Sequence, residues 1–305
     1  MNVVTDTVNF IRRRGLKHRQ FQEFLKAVEA DYGDVVYYSH VRWLSRGKVL
    51  YRFFCLRKEI DLFMKSIGRT VLSLNSNEWL WKLAFLTDIT STLNELNLKL
   101  QGKDILITRL YGYVKAFNNK LTFLFAQISK ANFTHFKCCS ILQKELPSVE
   151  HFPSEFATAV VTSLQQEFKR RFSDFERISV DLCLLTNPFN FCVESASSNV
   201  QLELIDLQAD EYLKSQLNQT DLISFYKDLS ETEYPRLRDL ARRYFTMFAS
   251  KYTCEQTFSR LNYIKCSHRS RLSDEHLHAL LRCATSGLEC DIKKLARAKQ
   301  AHPSH

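Results

Sequence analysis

Residues 75–100 read NSNEWLWKLAFLTDITSTLNELNLKL, and this stretch decides the fold class. Behind the capping-type run Asn75-Ser76-Asn77-Glu78, Trp79, Leu83, Leu86, Ile89, Leu93, Leu96 and Leu100 recur every three or four positions. That period places them on one face of a long helix. The same spacing appears on both sides. Val49, Phe53, Leu56, Ile60 and Phe63 form a stripe from Ser45 onward, and Leu110, Val114, Phe117, Leu121, Leu124 and Ile128 form another. A further helix opens at Pro153-Ser154-Glu155, a start signal, and runs through Phe156, Val160, Leu164, Phe168, Phe172 and Phe175. Phe21, Phe24, Leu25 and Val28 mark a helix that ends by Gly33. Helical patterns resume at 202–217, 222–229, 234–248, 252–264 and 273–284. Asn75-Ser76, Gly102-Lys103 and Pro147 interrupt the heptads, so the expectation is a helical bundle rather than a continuous coiled coil.

Composition agrees with that reading. Only 7 Gly and 5 Pro in 305 residues argue against a many-stranded sandwich or barrel. A 45% hydrophobic and 25% charged balance excludes a wholly disordered chain. Val35-Val36-Tyr37-Tyr38 is the best strand candidate. No run of about 18 apolar residues is present, so no membrane span is expected. Met1 is followed by Asn-Val-Val-Thr-Asp-Thr, which is no secretory signal. The 9 Cys include no CxxC pair and predict buried thiols in a reducing compartment, nucleus or cytosol. A net charge of +10 leans toward a polyanionic partner.

Few residues carry chemistry. There is no phosphate-cradling glycine loop, nucleophile elbow, HExxH or EF-hand loop. His276 and His278 point about 200° apart on a helix and cannot chelate one ion, so no metal site and no cofactor are expected. Two stretches stand out. In His40-Val-Arg-Trp-Leu-Ser45, Trp43 is either a core side chain or a stacking group for a base, with Arg42 on a phosphate. In Cys254-Glu-Gln-Thr-Phe-Ser259, Glu255 borders a stripe of Cys254, Phe258, Leu261 and Ile264. It is either a rim residue or a carboxylate facing a metal or phosphate. Basic clusters at Arg12-Arg13-Arg14 and Lys169-Arg170-Arg171 are either solvated helix faces or phosphate contacts.

Residues 40–45 resemble the TRW-S motif of hAT-superfamily DNA transposases. Leu-Ala-Arg-Arg-Tyr-Phe leading to Cys-Glu-Gln-Thr-Phe-Ser, and then Ser-Arg-Leu-Ser-Asp-Glu-His-Leu-His-Ala-Leu-Leu, resemble their carboxy-terminal dimerisation region. Val8-Asn-Phe-Ile-Arg12, His18-Arg-Gln-Phe21 and Val41-Arg-Trp-Leu-Ser-Arg46 are similar to the domesticated vertebrate subgroup. The resemblance implies a mainly α fold: a long-helix insertion domain attached to a truncated ribonuclease-H-like α/β core. On this reading residues 1–45 are the core remnant, 46–230 the helical insertion, 231–286 the dimerisation region and 287–305 a basic, disordered tail. The family's active site needs three carboxylates around two divalent ions. Glu255 corresponds to the third. The other two belong to strands preceding the matched segment, and Gln256 replaces the family's usual Arg.

The resulting expectation is a catalytically inactive, transposase-derived protein. It self-associates as a homodimer through Phe258, Leu261, Leu277, Leu280 and Leu281. It binds DNA weakly and without sequence preference, through Arg42, Trp43, Arg12, Arg13, Arg14, Lys169, Arg170 and Arg171. It has no membrane role and works in the nucleus rather than the cytoplasm. The alternatives are an active hAT-type transposase or nuclease, and a helical scaffold with no nucleic-acid role.

Overall fold

The computed structural model describes residues 1–13, 15–36, 43–101, 105–146, 152–247, 252–265 and 272–285. They form helices joined by short connections: α1 (Asn2–Arg13), α2 (Gly15–Ala27), α3 (Trp43–Cys55), α4 (Arg57–Ser66), α5 (Asn77–Leu100), α6 (Ile107–Ile128), α7 (Lys137–Glu145), α8 (Ser154–Arg171), α9 (Ser173–Thr186), α10 (Gln201–Ala209), α11 (Glu211–Gln219), α12 (Leu222–Asp228), α13 (Pro235–Phe245), α14 (Tyr252–Ile264) and α15 (Asp274–Thr285). No strand occurs among the described residues, and no helix among them is long and apolar enough to cross a membrane. The chain divides into two compact units: Met1–Leu100 with Ile105–Ala249, and Ser250–His305 with Gln101–Asp104.

The first unit has two apolar cores. In the larger, α5 is the central element and packs against α3, α6, α7 and α8. Of its expected stripe α5 buries Leu83, Ile89 and Leu96, while Trp79, Leu86, Leu93 and Leu100 are half-buried; outside that stripe it buries Trp81, Ala84 and Phe85 completely, with Phe133, Phe136, Phe152 and Phe156 around them. α3 approaches α5 closely at Gly47, where a Cβ would overlap the Asn94 amide. On α6 all six stripe residues, Leu110 through Ile128, are buried. The smaller core joins Leu182, Leu184 and Leu185 of α9 to Leu204, Leu207, Phe225, Tyr226, Leu237 and Tyr244.

Three expected helices are divided. The stripe from Val49 to Phe63 bends at Leu56, where Arg57 Nη1 donates to the Phe54 carbonyl at 2.7 Å. The Phe156–Phe175 stripe turns at Phe172, and its rings stay in register across the break: Phe168–Phe172 at 5.4 Å, Phe172–Phe175 at 5.9 Å. Residues 202–217 split at Asp210, whose carboxylate accepts from the Leu213 amide and starts α11.

Val35 and Val36 do not form the expected strand. The acceptors a ladder would use are taken by side chains. Arg12 Nη1 donates to the Val35 carbonyl at 2.5 Å and Arg52 Nη1 to the Asp34 carbonyl at 2.9 Å. The Asp34 carboxylate receives His18 Nε2 at 2.8 Å, Gln22 Nε2 at 3.3 Å and the Val35 amide at 2.7 Å. This turn is thereby tied to α1, α2 and α3. Tyr37 and Tyr38 lie outside the described residues. The described thiols are free, and they are not uniformly buried: Cys138 and Cys139 are, whereas Cys192 and Cys283 are exposed.

Candidate dimerisation surface

The smaller core is braced by polar contacts that fix its helix ends. Glu203 on α10 accepts from the Arg236 amide at 2.9 Å and the Leu237 amide at 2.8 Å, capping α13 from another helix. Asp221 accepts from the Ile223 and Ser224 amides and caps α12, and the Ser224 hydroxyl and these amides hold its carboxyl below the ordinary range. Tyr226 donates to the Leu185 carbonyl at 3.1 Å, and burial pushes its hydroxyl pKa up. Tyr244 donates to Asp181 at 2.7 Å; burial and that carboxylate push it up to about 12.

With α10 held in this way, its outer face is fixed and exposed. Leu204 and Leu207 are buried, while Leu202 is 76% and Ile205 50% exposed. Asp206 and Ala209 share that outer face by helical spacing, and Tyr212 follows at 76% exposure. A groove of about 300 Å³ opens between α12 and α13. Ile223, Tyr226, Ala241 and Phe245 give it an apolar floor, and Lys227, Arg238 and Arg242 supply cations. Arg238 is committed to the Lys227 and Leu229 carbonyls and to Glu231 at 2.6 Å.

The second unit is a helical hairpin in which α14 packs against α15. Ile264 is buried, and Thr257, Leu261, Leu277 and Leu281 are half-buried. Ser273 caps α15, its hydroxyl 2.7 Å from His276 Nδ1. Phe258 is 64% and Leu280 40% exposed.

The candidate nucleic-acid residues whose side chains are described lie on two helices, α1 and α8. Arg12 is half-buried and bonded to the Asp34–Val35 turn, 3.5 Å from the Asp34 carboxylate. Arg13 is exposed at the end of α1. Lys169, Arg170 and Arg171 are exposed on the last turn of α8, where Arg170 and Arg171 pair with Glu167 at 2.8 and 3.3 Å. Trp43 is the first residue of α3 and Glu255 lies on α14; their side chains, with Arg14 and Arg42, lie outside the described residues. No group of three His, Cys, Asp or Glu side chains among the described residues is placed to hold a metal ion.

Residues 203–285 match the hAT family C-terminal dimerisation region, and residues 1–129 match the FAM200/GTF2IRD2 helical domain. The chain is a transposase-derived protein of the hAT type. The hAT-derived chain is 36% identical over 286 residues to general transcription factor II-I repeat domain-containing protein 2 of Bos taurus, covering 93% of itself and 29% of that protein. It is 37% identical over 266 residues to the Mus musculus protein of the same name, covering 87% of itself and 28% of the other. The chain thus spans under a third of the length of these relatives. No solved structure matches it. The matched dimerisation region takes in more than the terminal hairpin, because it starts on α10 and includes α12 and α13. Sequence reading singled out Phe258 and Leu280 but not Leu202, Ile205 and Tyr212. A signal was present: Leu202, Leu204, Ile205 and Leu207 are more apolar residues than one helix face accommodates.

Proposed function

We propose that this chain is a non-enzymatic, transposase-derived protein that self-associates as a homodimer through its carboxy-terminal helices. The observation that carries this reading is the α14–α15 hairpin. Two helices of this length are marginal on their own, and here they leave Phe258 and Leu280 exposed within the matched dimerisation region. Burying one such side chain contributes about 1.5–3 kcal/mol, and a two-fold interface uses each twice. Sedimentation equilibrium of the purified chain is expected to show a dimer. Phe258→Glu or Leu280→Glu is expected to weaken it at least about tenfold with helical circular dichroism unchanged. A clean monomer at tens of micromolar would remove the reading.

Catalytic inactivity is part of the proposal. Support comes from the relatives, which are named for a general transcription factor and not for an enzyme. Mg²⁺- or Mn²⁺-dependent nicking abolished by Glu255→Gln would overturn it. DNA binding is proposed to be weak and indifferent to sequence, through exposed cations such as Arg13, Lys169, Arg170 and Arg171. Affinity should then fall steeply between low and moderate salt, and a flat profile would refute this contact. The relatives' name refers to a general transcription factor, and on that we propose a nuclear place of action. The finer division into a ribonuclease-H-like remnant (1–45), insertion (46–230), dimerisation region (231–286) and basic tail (287–305) rests on the sequence resemblance alone.

A further inference from the structure

We propose that the exposed face of α10 seats in the α12–α13 groove of a second copy of this chain, with Asp206 of one protomer meeting the Lys227 ammonium of the other. The proposal rests on the dimer reading and gives it a second contact.

Three observations converge on it. The first is the apolar match. Leu202 and Ile205 stand 76% and 50% exposed on a helix whose opposite face is fully packed. The groove offers Ile223, itself 46% exposed, with Phe245, Tyr226 and Ala241. Exposed apolar groups that line up on a rigid helix mark an interaction surface more than scattered ones do. The second is charge. The groove lining contains three cations and no carboxylate. Asp206 lies on the same helix face as Leu202, and among the described residues neither Asp206 nor Lys227 has an ion-pair partner. Among the described residues the Arg242 side chain pairs with Asp239 at 3.5 Å, a solvent-exposed contact that exchanges at little cost. The third is position. Ile205 and Asp206, with the groove walls of α12 and α13, fall inside residues 203–285, the matched dimerisation region.

Both halves of the contact belong to the first compact unit, so each copy carries one ridge and one groove. A two-fold dimer would satisfy both at once: ridge into groove and groove around ridge. The rigidity of both halves favours this. Glu203 and Gln208 anchor α10 beneath its exposed face, Glu203 to α13 and Gln208 to the Pro188 and Phe191 carbonyls at 2.6 and 2.8 Å. Little conformational freedom remains to be lost on association.

The test is a charge-reversal cycle on the full chain, read by sedimentation equilibrium. Asp206→Lys and Lys227→Glu should each raise the dimer dissociation constant at least about tenfold. The chain carrying both changes should return to within about threefold of the wild type, because the pair is restored with its sign reversed. Leu202→Ser should weaken the dimer without rescue by either charge change. A wild-type chain that is monomeric overturns the dimer reading and this contact together. A wild-type dimer that Phe258→Glu disrupts, but that all three of these variants leave unchanged, overturns this contact alone. Additive losses in the double variant overturn the Asp206–Lys227 pairing.

Discussion

Replacing Asp88 by Ala is expected to lower the unfolding free energy by about 2–4 kcal/mol in urea denaturation. Asp88 sits in the middle of α5 and is only 8% exposed. Its carboxylate accepts the Cys138 amide through both oxygens at 2.9 Å and the Cys139 amide at 3.0 Å. It therefore caps α7 from a different helix. Removing it leaves two buried N–H donors without acceptors and opens a gap between α5 and α7. Asp88→Asn should cost about half as much, since one amide oxygen still accepts while the NH₂ group faces a donor. Burial pushes the Asp88 carboxyl above its ordinary value of 3.8, against the lowering effect of the amide bonds. For a carboxyl raised in the fold, the protonation-linked part of stability is fully present below 3.8 and is lost as pH rises through the raised folded value, while the bonds to the Cys138 and Cys139 amides act above it as well. A variant Asp88→Ala as stable as the wild type would show that α7 is not anchored there.

Arg57→Ala is expected to cost about 2–3 kcal/mol, below the full cost of breaking a buried pair because Glu145 keeps a third of its side chain in water. The Arg57 side chain is 8% exposed and donates through Nη2 to both Glu145 oxygens at 2.7 Å. It also holds the Phe54 carbonyl at 2.7 Å and lies over the Phe54 ring, with its guanidinium carbon 4.3 Å from the centroid. The change thus removes the joint between α3 and α4 together with their tie to the end of α7. Burial raises the Glu145 carboxyl, but the bonds from Arg57 and Lys58 outweigh it and hold it below its ordinary 4.5. The sign is opposite to that of Asp88. This contribution is present above 4.5 and disappears as pH falls through the depressed folded value. An acid titration of stability should therefore lose part of its slope in Arg57→Ala. A double-mutant cycle with Glu145→Ala should show coupling of about 1 kcal/mol or more, and additive losses would refute the tie.

Asp88 also shows where a sequence is readable. A lone carboxylate between Thr87 and Ile89, inside an otherwise apolar stretch of α5, is visible in the primary structure. Its partners, the Cys138 and Cys139 amides fifty positions away, are not. Glu203 of α10, which caps α13, shares this property: its role is set by a helix end brought to it from elsewhere in the chain. Asp34 is set likewise, by the Arg12 and His18 side chains of α1 and α2. The candidate surface divides in the same way. Phe258 and Leu280 were legible as apolar residues in excess of one face. In the α10 row the excess of apolar residues was legible too, but not which of them face outward, because it is the surrounding core that claims Leu204 and Leu207 and leaves Leu202 and Ile205 exposed.

The amino-acid order alone determined that this chain is helical and where most helices lie. Apolar residues repeating every three or four positions have only one regular backbone that gathers them on a single side. The C-terminal motif was likewise local enough to identify the transposase origin. Only the tertiary structure decided that Val35 and Val36 form no strand. A strand is defined by a partner that accepts and donates its hydrogen bonds, and here Arg12 and Arg52 reach those carbonyls first. It also decided where the long stripes bend, at Leu56, Phe172 and Asp210. A helix ends where its terminal amides and carbonyls find other partners, as the Phe54 carbonyl does in Arg57 Nη1 and the Leu213 amide in the Asp210 carboxylate.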